Sequence, residues 1–249
     1  MKLYIDETAV EMGRRAAADT AERVKKAVAK QGFCRILLST GASQFEMFEA
    51  LEKIPDVPWE KVTMFHLDEF VGMPVTHKAS FRKYLTERFI EKVHPGEYYF
   101  VNGEGDVKAN IAALTEKLRE KPIDVALIGI GENGHIAFND PPADFDTTEA
   151  YIVVHLDERC RKQQMGEGWF NTLEEVPTEA VSMTVYQIMQ AKSILSVVGG
   201  ERKAEAVKKT LEAPAITNFV PATKLREHPD WVLYLDKASA AQTNPVNLV

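Results

Sequence analysis

The stretch Asp124-Val-Ala-Leu-Ile-Gly-Ile-Gly-Glu-Asn-Gly-His-Ile-Ala-Phe-Asn-Asp-Pro-Pro142 decides how this chain reads. Val125 to Ile128 form a short apolar run of the kind found in a fully buried strand. Gly129, Gly131 and Gly134 follow, and such a backbone turns sharply and admits a close neighbour. His135, Asn139 and Asp140 then supply groups that donate, accept or carry protons. A strand, a glycine turn and titratable groups in that order mark the place where an α/β protein keeps its chemistry. The glycines also spell G-x-G-x-x-G. A dinucleotide fingerprint needs a helix that starts within the glycines. Pro141 and Pro142 come too soon for one, so the match is set aside as a cofactor site.

The chain on either side alternates strand and helix patterns. Lys2–Ile5 reads as a strand, and Asp6 or Thr8 can cap the helix after it, whose Gly13, Ala17, Ala21, Val24 and Val28 recur at helical spacing. Gly32 ends that helix, and Arg35–Leu38 reads as a buried strand. Ser39-Thr-Gly-Ala-Ser-Gln44 then leads into a helix over Phe45–Lys53. A hydroxyl-rich turn before a helix suits an anion, and the alternative is a plain turn capped by Ser43. Val62–Leu67 is a strand that delivers Asp68 and Glu69 to the carboxyl edge of the sheet, unless the pair merely caps a helix or lies on the surface. Ser80 caps a helix over Phe81–Lys92, and Val107–Glu120 is amphipathic. Beyond the central stretch, Ile152–Leu156 and Ser193–Val198 read as strands, Ala180–Met183 as an extended piece and Trp231–Leu235 as the last strand. The polar run Asp157–Gln164 carries Arg159 and Arg161 and reads as a solvated helix face. Lys203 falls in the first turn of the helix after Gly199-Gly200, where the helix dipole disfavours a cation unless an anion joins it. No pattern is legible from Ala238 onward.

Alternating strands and helices imply a mostly parallel sheet covered on both faces. The 249 residues, 45% apolar and 27% charged, show no repeat or linker, so one domain over 1–249 is expected. A net charge of −7 argues against a nucleic-acid partner. The two cysteines, Cys34 and Cys160, lie in no metal or redox motif and read as thiols of a reducing compartment. No stretch approaches the ~20 apolar residues of a membrane span, and Met1–Asp6 is too short for a signal peptide, so the cytoplasm is expected.

Ser39-Thr-Gly-Ala-Ser43, His66-Leu-Asp-Glu-Phe-Val-Gly-Met-Pro74, Gly131-Glu-Asn-Gly-His-Ile-Ala-Phe-Asn-Asp-Pro141 and Gly199-Gly-Glu-Arg-Lys203 together resemble the glucosamine-6-phosphate deaminase/isomerase family in order and spacing. The resemblance spans nearly the whole chain. It implies an α/β, Rossmann-like fold and an enzyme without cofactor or metal, acting on a small-molecule sugar phosphate. Relatives range from monomers to hexamers, so a homo-oligomer is compatible with it. The implied reaction converts glucosamine 6-phosphate and water to fructose 6-phosphate and ammonia. By position, Asp68 would move the proton between C2 and C1, and His135, oriented by Asp140, would assist opening of the sugar ring. Thr40, Gly41, Ala42 and Ser43 with Lys203 would hold the phosphate. The chain departs from the family at Asn133, where many members have an acid, and at Asp140, where many have Glu. Asn133 exchanges no proton, so its part would be to orient His135 or the sugar. A phosphate-binding arginine of the family falls here near Gln164, leaving Arg159 and Arg161 as substitutes. Residues 143–153 contain no Lys or Arg, which implies no phosphate-activated control. A 6-phosphogluconolactonase and an inactive sugar-phosphate-binding regulator are the alternatives. Nothing in the sequence separates glucosamine from galactosamine 6-phosphate.

Overall fold

The computed structural model describes residues 1–166, 168–244 and 246, and the side chains of Ala42 and Arg159 lie outside the described set. In chain order the elements are β1 (Lys2–Asp6), α1 (Ala9–Gln31), β2 (Cys34–Leu38), α2 (Phe45–Leu51), β3 (Val62–His66), β4 (Asp68–Phe70), α3 (Phe81–Leu85), α4 (Glu91–Val93), β5 (Glu97–Tyr99) and α5 (Val107–Arg119). The second half adds β6 (Val125–Leu127), β7 (Tyr151–His155), α6 (Glu158–Gly166), β8 (Glu179–Met183), α7 (Val185–Ile188), β9 (Ile194–Val198), α8 (Ala204–Glu212), β10 (Trp231–Asp236) and α9 (Lys237–Ala240). A wider turn, Thr86–Ile90, joins α3 to α4. Among the described residues no helix is long and apolar enough to cross a membrane.

Seven strands form one sheet in the order β1-β10-β9-β6-β2-β3-β5, and every pairing is parallel. The apolar runs of β2, β6, β9 and β10 are buried along their whole length, as strands covered on both faces must be. Alternate residues serve opposite faces. Leu37 and Ala126 belong to one apolar cluster, and Ile36, Leu38, Val125 and Leu127 to the other. The chain runs from β2 to β3 on one side, while β6 lies on the other side of β2. Loops leaving β2 and β6 therefore diverge, which opens a crevice at the carboxyl edge of the sheet.

A second, antiparallel sheet of three strands, β4-β8-β7, was not legible as such in the sequence. Strand β7 shows why it differs from the parallel strands, since Tyr151 is buried while Val153 and His155 are exposed. This sheet takes the chain directly from β3 into β4, so Asp68 starts a strand rather than a loop.

Local chemistry resolves the caps. Thr8, not Asp6, caps α1 in a reciprocal box with Glu11, and Asp6 pairs with Arg15 at 2.7 Å. Ser43 caps nothing. Gln44 precedes α2 without a side-chain cap, and the Ser43 hydroxyl accepts from Gln44 Nε2 at 3.2 Å. The expectation of a patternless tail from Ala238 is corrected by α9, which Asp236 caps through the Ser239 amide at 2.7 Å. Four residues are too few to show periodicity in a sequence.

Helix α1 crosses α2 at Gly13. A Cβ there would lie 2.7 Å from Glu46 Cβ and 2.9 Å from the Met47 amide nitrogen. Gly13→Ala should destabilise the protein by about 1–3 kcal/mol through overpacking, seen as a lower Tm in thermal unfolding. An unchanged Tm would mean that the two helices separate freely.

Candidate active site

The crevice is a cavity of about 490 Å³, within the range of small-molecule sites. Four strand ends build its walls: Ser39 to Ser43 after β2, Leu67 and Asp68 after β3, Gly129 to Glu132 after β6, and Gly199 to Lys203 after β9.

The turn after β2 is held from two sides. Tyr84 donates its hydroxyl to the Gly41 carbonyl at 3.0 Å, and Gln44 donates Nε2 to the Val197 carbonyl in β9 at 3.1 Å. Gly41 takes φ 107°, a conformation that suits glycine. The turn after β9 is fixed by Asp236, whose carboxylate accepts from the Gly200 amide at 3.0 and 3.1 Å. Both turns border the cavity, and Lys203 borders it with them.

The paired acids after β3 separate into two roles. Successive residues of a strand point to opposite faces. Glu69 is fully buried and accepts from Ser80 Oγ at 2.7 Å, from the amides of Phe70, Phe81 and Arg82 at 3.0, 3.3 and 3.1 Å, and from Arg82 Nε at 3.3 Å. It anchors the start of α3, and burial still raises its carboxyl above the usual range. Asp68 borders the cavity, 7% exposed, and its carboxyl is pushed up to about 8 by burial first and by the Glu69 charge second. His66 is buried beneath it. Its Nδ1 accepts from the Val101 amide at 3.1 Å, and burial pushes the ring down to about 3, so it stays neutral.

His135 also borders the cavity, and Asn133 and Asp140 stand behind it. His135 Nδ1 lies 3.1 Å from Asp140 Oδ1, and Asn133 Nδ2 donates to the same oxygen at 2.8 Å. Asn133 Oδ1 in turn accepts from the His135 amide at 3.1 Å. Burial alone would raise the Asp140 carboxyl. The close His135 ring, with hydrogen bonds from Asn133 and Cys160, outweighs it and holds the group down to about 2. Cys160, read from the sequence as a plain structural thiol, therefore touches the site. Gly131 makes room for the ring, because a Cβ there would sit 2.2 Å from His135 Nε2. Asn139 turns away and donates to the Ile136 and Met183 carbonyls at 2.8 Å each.

Of the residues singled out in the sequence, Thr40, Gly41, Ser43, Asp68, His135 and Lys203 border one cavity. Asn133 and Asp140 reach it through His135, and the Ala42 side chain lies outside the described residues. Arg161 is half-buried and does not border the cavity. It gives Nε to the Val176 carbonyl at 3.1 Å and Nη2 to the Leu173 carbonyl, and the Arg159 side chain is outside the described set. The sequence reading missed Tyr84, Trp169 and Arg202, which also border the cavity, as does Gln164. Among the described residues no group of His, Cys, Asp and Glu is arranged to hold a metal ion.

The family model described as "Glucosamine-6-phosphate isomerases/6-phosphogluconolactonase" matches residues 7–233. The chain is 33% identical over 242 residues to a glucosamine-6-phosphate deaminase of Oenococcus oeni, covering 97% of this chain and 98% of that one. It superposes on a monomeric glucosamine-6-phosphate deaminase with a TM-score of 0.88 and 28% identity, over 97% of this chain and 100% of the other. A 6-phosphogluconolactonase of Thermotoga maritima shares the fold at 15% identity and a TM-score of 0.78, over 95% and 99% of the two chains. Sequence match and shared architecture agree over almost the full length, and the chain belongs to the glucosamine-6-phosphate isomerase/6-phosphogluconolactonase family.

Proposed function

We propose that this protein converts glucosamine 6-phosphate and water to fructose 6-phosphate and ammonia. The observation that carries this reading is the pair of proton-handling groups on one cavity: Asp68, buried and pushed up to about 8, and His135, backed by the ionised Asp140. Moving a proton between adjacent carbons needs a carboxylate of raised basicity, and opening a sugar ring needs an imidazole. Hydrolysis of a lactone needs no such shuttle between carbons.

In this reading the substrate phosphate sits on the Thr40–Ser43 turn and Lys203. His135 gives a proton to the ring oxygen as the C1–O5 bond breaks and the C1 hydroxyl loses its proton, leaving an open-chain aldehyde. The Asp68 carboxylate takes the C2 proton, the electron pair forms a C1–C2 double bond, and the C1 oxygen is protonated. Asp68 then returns its proton to C1 and C2 becomes the imine carbon. Water adds at C2, the C2–N bond breaks and ammonia leaves. An ammonium group on C2 beside Asp68 favours the ionised carboxylate once substrate is bound, although burial keeps it protonated in the empty site near neutral pH. Asn133 carries no titrating proton. Its amide locks Asp140 as an anion toward His135.

We place the protein in the cytoplasm, where its two free, buried cysteines stay reduced.

Asp68→Asn should lower ammonia release by roughly 100-fold or more while inhibition by inorganic phosphate is retained; full turnover by this variant would remove Asp68 from the base role. Wild type should leave 6-phosphogluconolactone intact. Asn133→Asp sets a second carboxylate at the 2.8 Å contact with Asp140, so the pair should share a proton. A new acidic limb should then appear in the kcat/KM profile at higher pH than any set by Asp140 in wild type. Superimposable profiles would show that Asn133 does not control the charge on Asp140.

A further inference from the structure

A phosphate dianion is gripped best by more than one cation, and arginine binds it bidentately where lysine offers a point charge. Lys203 is one cation at the phosphate end of the cavity. Among its described side chains, α6 brings no cation to the cavity. Arg161 is engaged with the Leu173 and Val176 carbonyls, and Gln164, buried against the cavity wall, brings no charge.

Arg202 occupies the rim beside Lys203. Its turn is set from below, because Asp236 holds the Gly200 amide and the Lys203 amide donates to the Gly200 carbonyl at 3.0 Å. Glu132 and Glu201 border the same cavity, yet among the described residues no ion pair or hydrogen bond joins Arg202 to either. Lys78 approaches from another wall and already acts on Glu175. Among the described residues no hydrogen bond or ion pair engages Arg202, an exposed guanidinium carried on a fixed turn that borders the cavity.

We propose that Arg202 is the second phosphate-gripping cation of this site, closing on the substrate phosphate from the β9 turn. The inference rests on the sugar-phosphate reading above. A fork of N–H donors on the non-ester phosphate oxygens fixes the end of the substrate remote from the reacting carbons. Removing it therefore weakens binding more than it slows the proton transfers.

The test compares wild type, Arg202→Ala and Arg202→Lys. Inorganic phosphate binding is measured by calorimetry, and ammonia release from glucosamine 6-phosphate is measured at low salt and at high salt. Loss of a charge-assisted contact should weaken phosphate binding and raise KM roughly tenfold or more in Arg202→Ala, with kcat within about threefold. Lysine should restore part of the loss. The ratio between wild type and Arg202→Ala should persist at high salt. Unchanged phosphate affinity in Arg202→Ala would overturn the proposal, and so would a difference that vanishes at high salt, which marks a charge acting only at long range. The calorimetric arm reads Arg202 without turnover, so an enzyme that binds phosphate through Arg202 but releases no ammonia would contradict the reaction and not the phosphate grip.

Discussion

The burial of one carboxyl, Asp68, is the constraint on which the rest of the site depends. Water would hold this group in the ordinary carboxylate range, where it would be a weak base. The passage from β3 into β4, with β8 paired alongside, takes it out of water and pushes it up to about 8. That environment has a stability consequence of definite sign. The acid is kept neutral by the fold, so its contribution is fully present below the unfolded value of about 3.8 and is lost as pH rises through the folded value of about 8. In the proposed reaction, empty and substrate-bound enzyme thus place opposite demands on one group, and a cationic substrate amine reconciles them.

The second acid is tuned the other way. Asp140 is largely buried too, but the adjacent His135 ring and donors from Asn133 and Cys160 converge on it and hold it down to about 2. Two carboxyls with environments that push them apart can take different parts in one reaction, the higher as a proton carrier and the lower as a fixed charge behind an imidazole. Glu69 shows a third use of the same chemistry. Although adjacent to Asp68 in sequence, it is consumed by the N-terminus of α3 and by Arg82. The Asp-Glu pair admitted a catalytic and a capping reading; Glu69 is held at the start of α3, while Asp68 borders the cavity.

What the sequence made legible was local. Buried apolar runs announced β2, β6, β9 and β10, and small-residue periodicity announced α1. The glycine stretch was readable because its prolines ruled out a helix, and Gly131 proves to face the His135 ring. Long-range pairings were not readable. The antiparallel β4-β8-β7 sheet joins segments far apart in the chain. Gln44 reaches Val197, Asp236 reaches Gly200, and Arg161 turns to loop carbonyls. Each is a polar side chain whose partner is set by the fold and not by its neighbours in sequence. Arg202 drew no notice beside Lys203, because only the fold shows that both border one cavity.

The most direct measurement is a carbon-13 NMR titration of the empty enzyme labelled at its aspartate carboxyls, with Asp68→Asn to assign the signal. The account predicts one carboxyl titrating near 8 in wild type and missing from the variant, with Asp140 ionised throughout. An Asp68 carboxyl that titrates in the ordinary range around 4 would contradict the claim that burial turns this residue into the proton carrier.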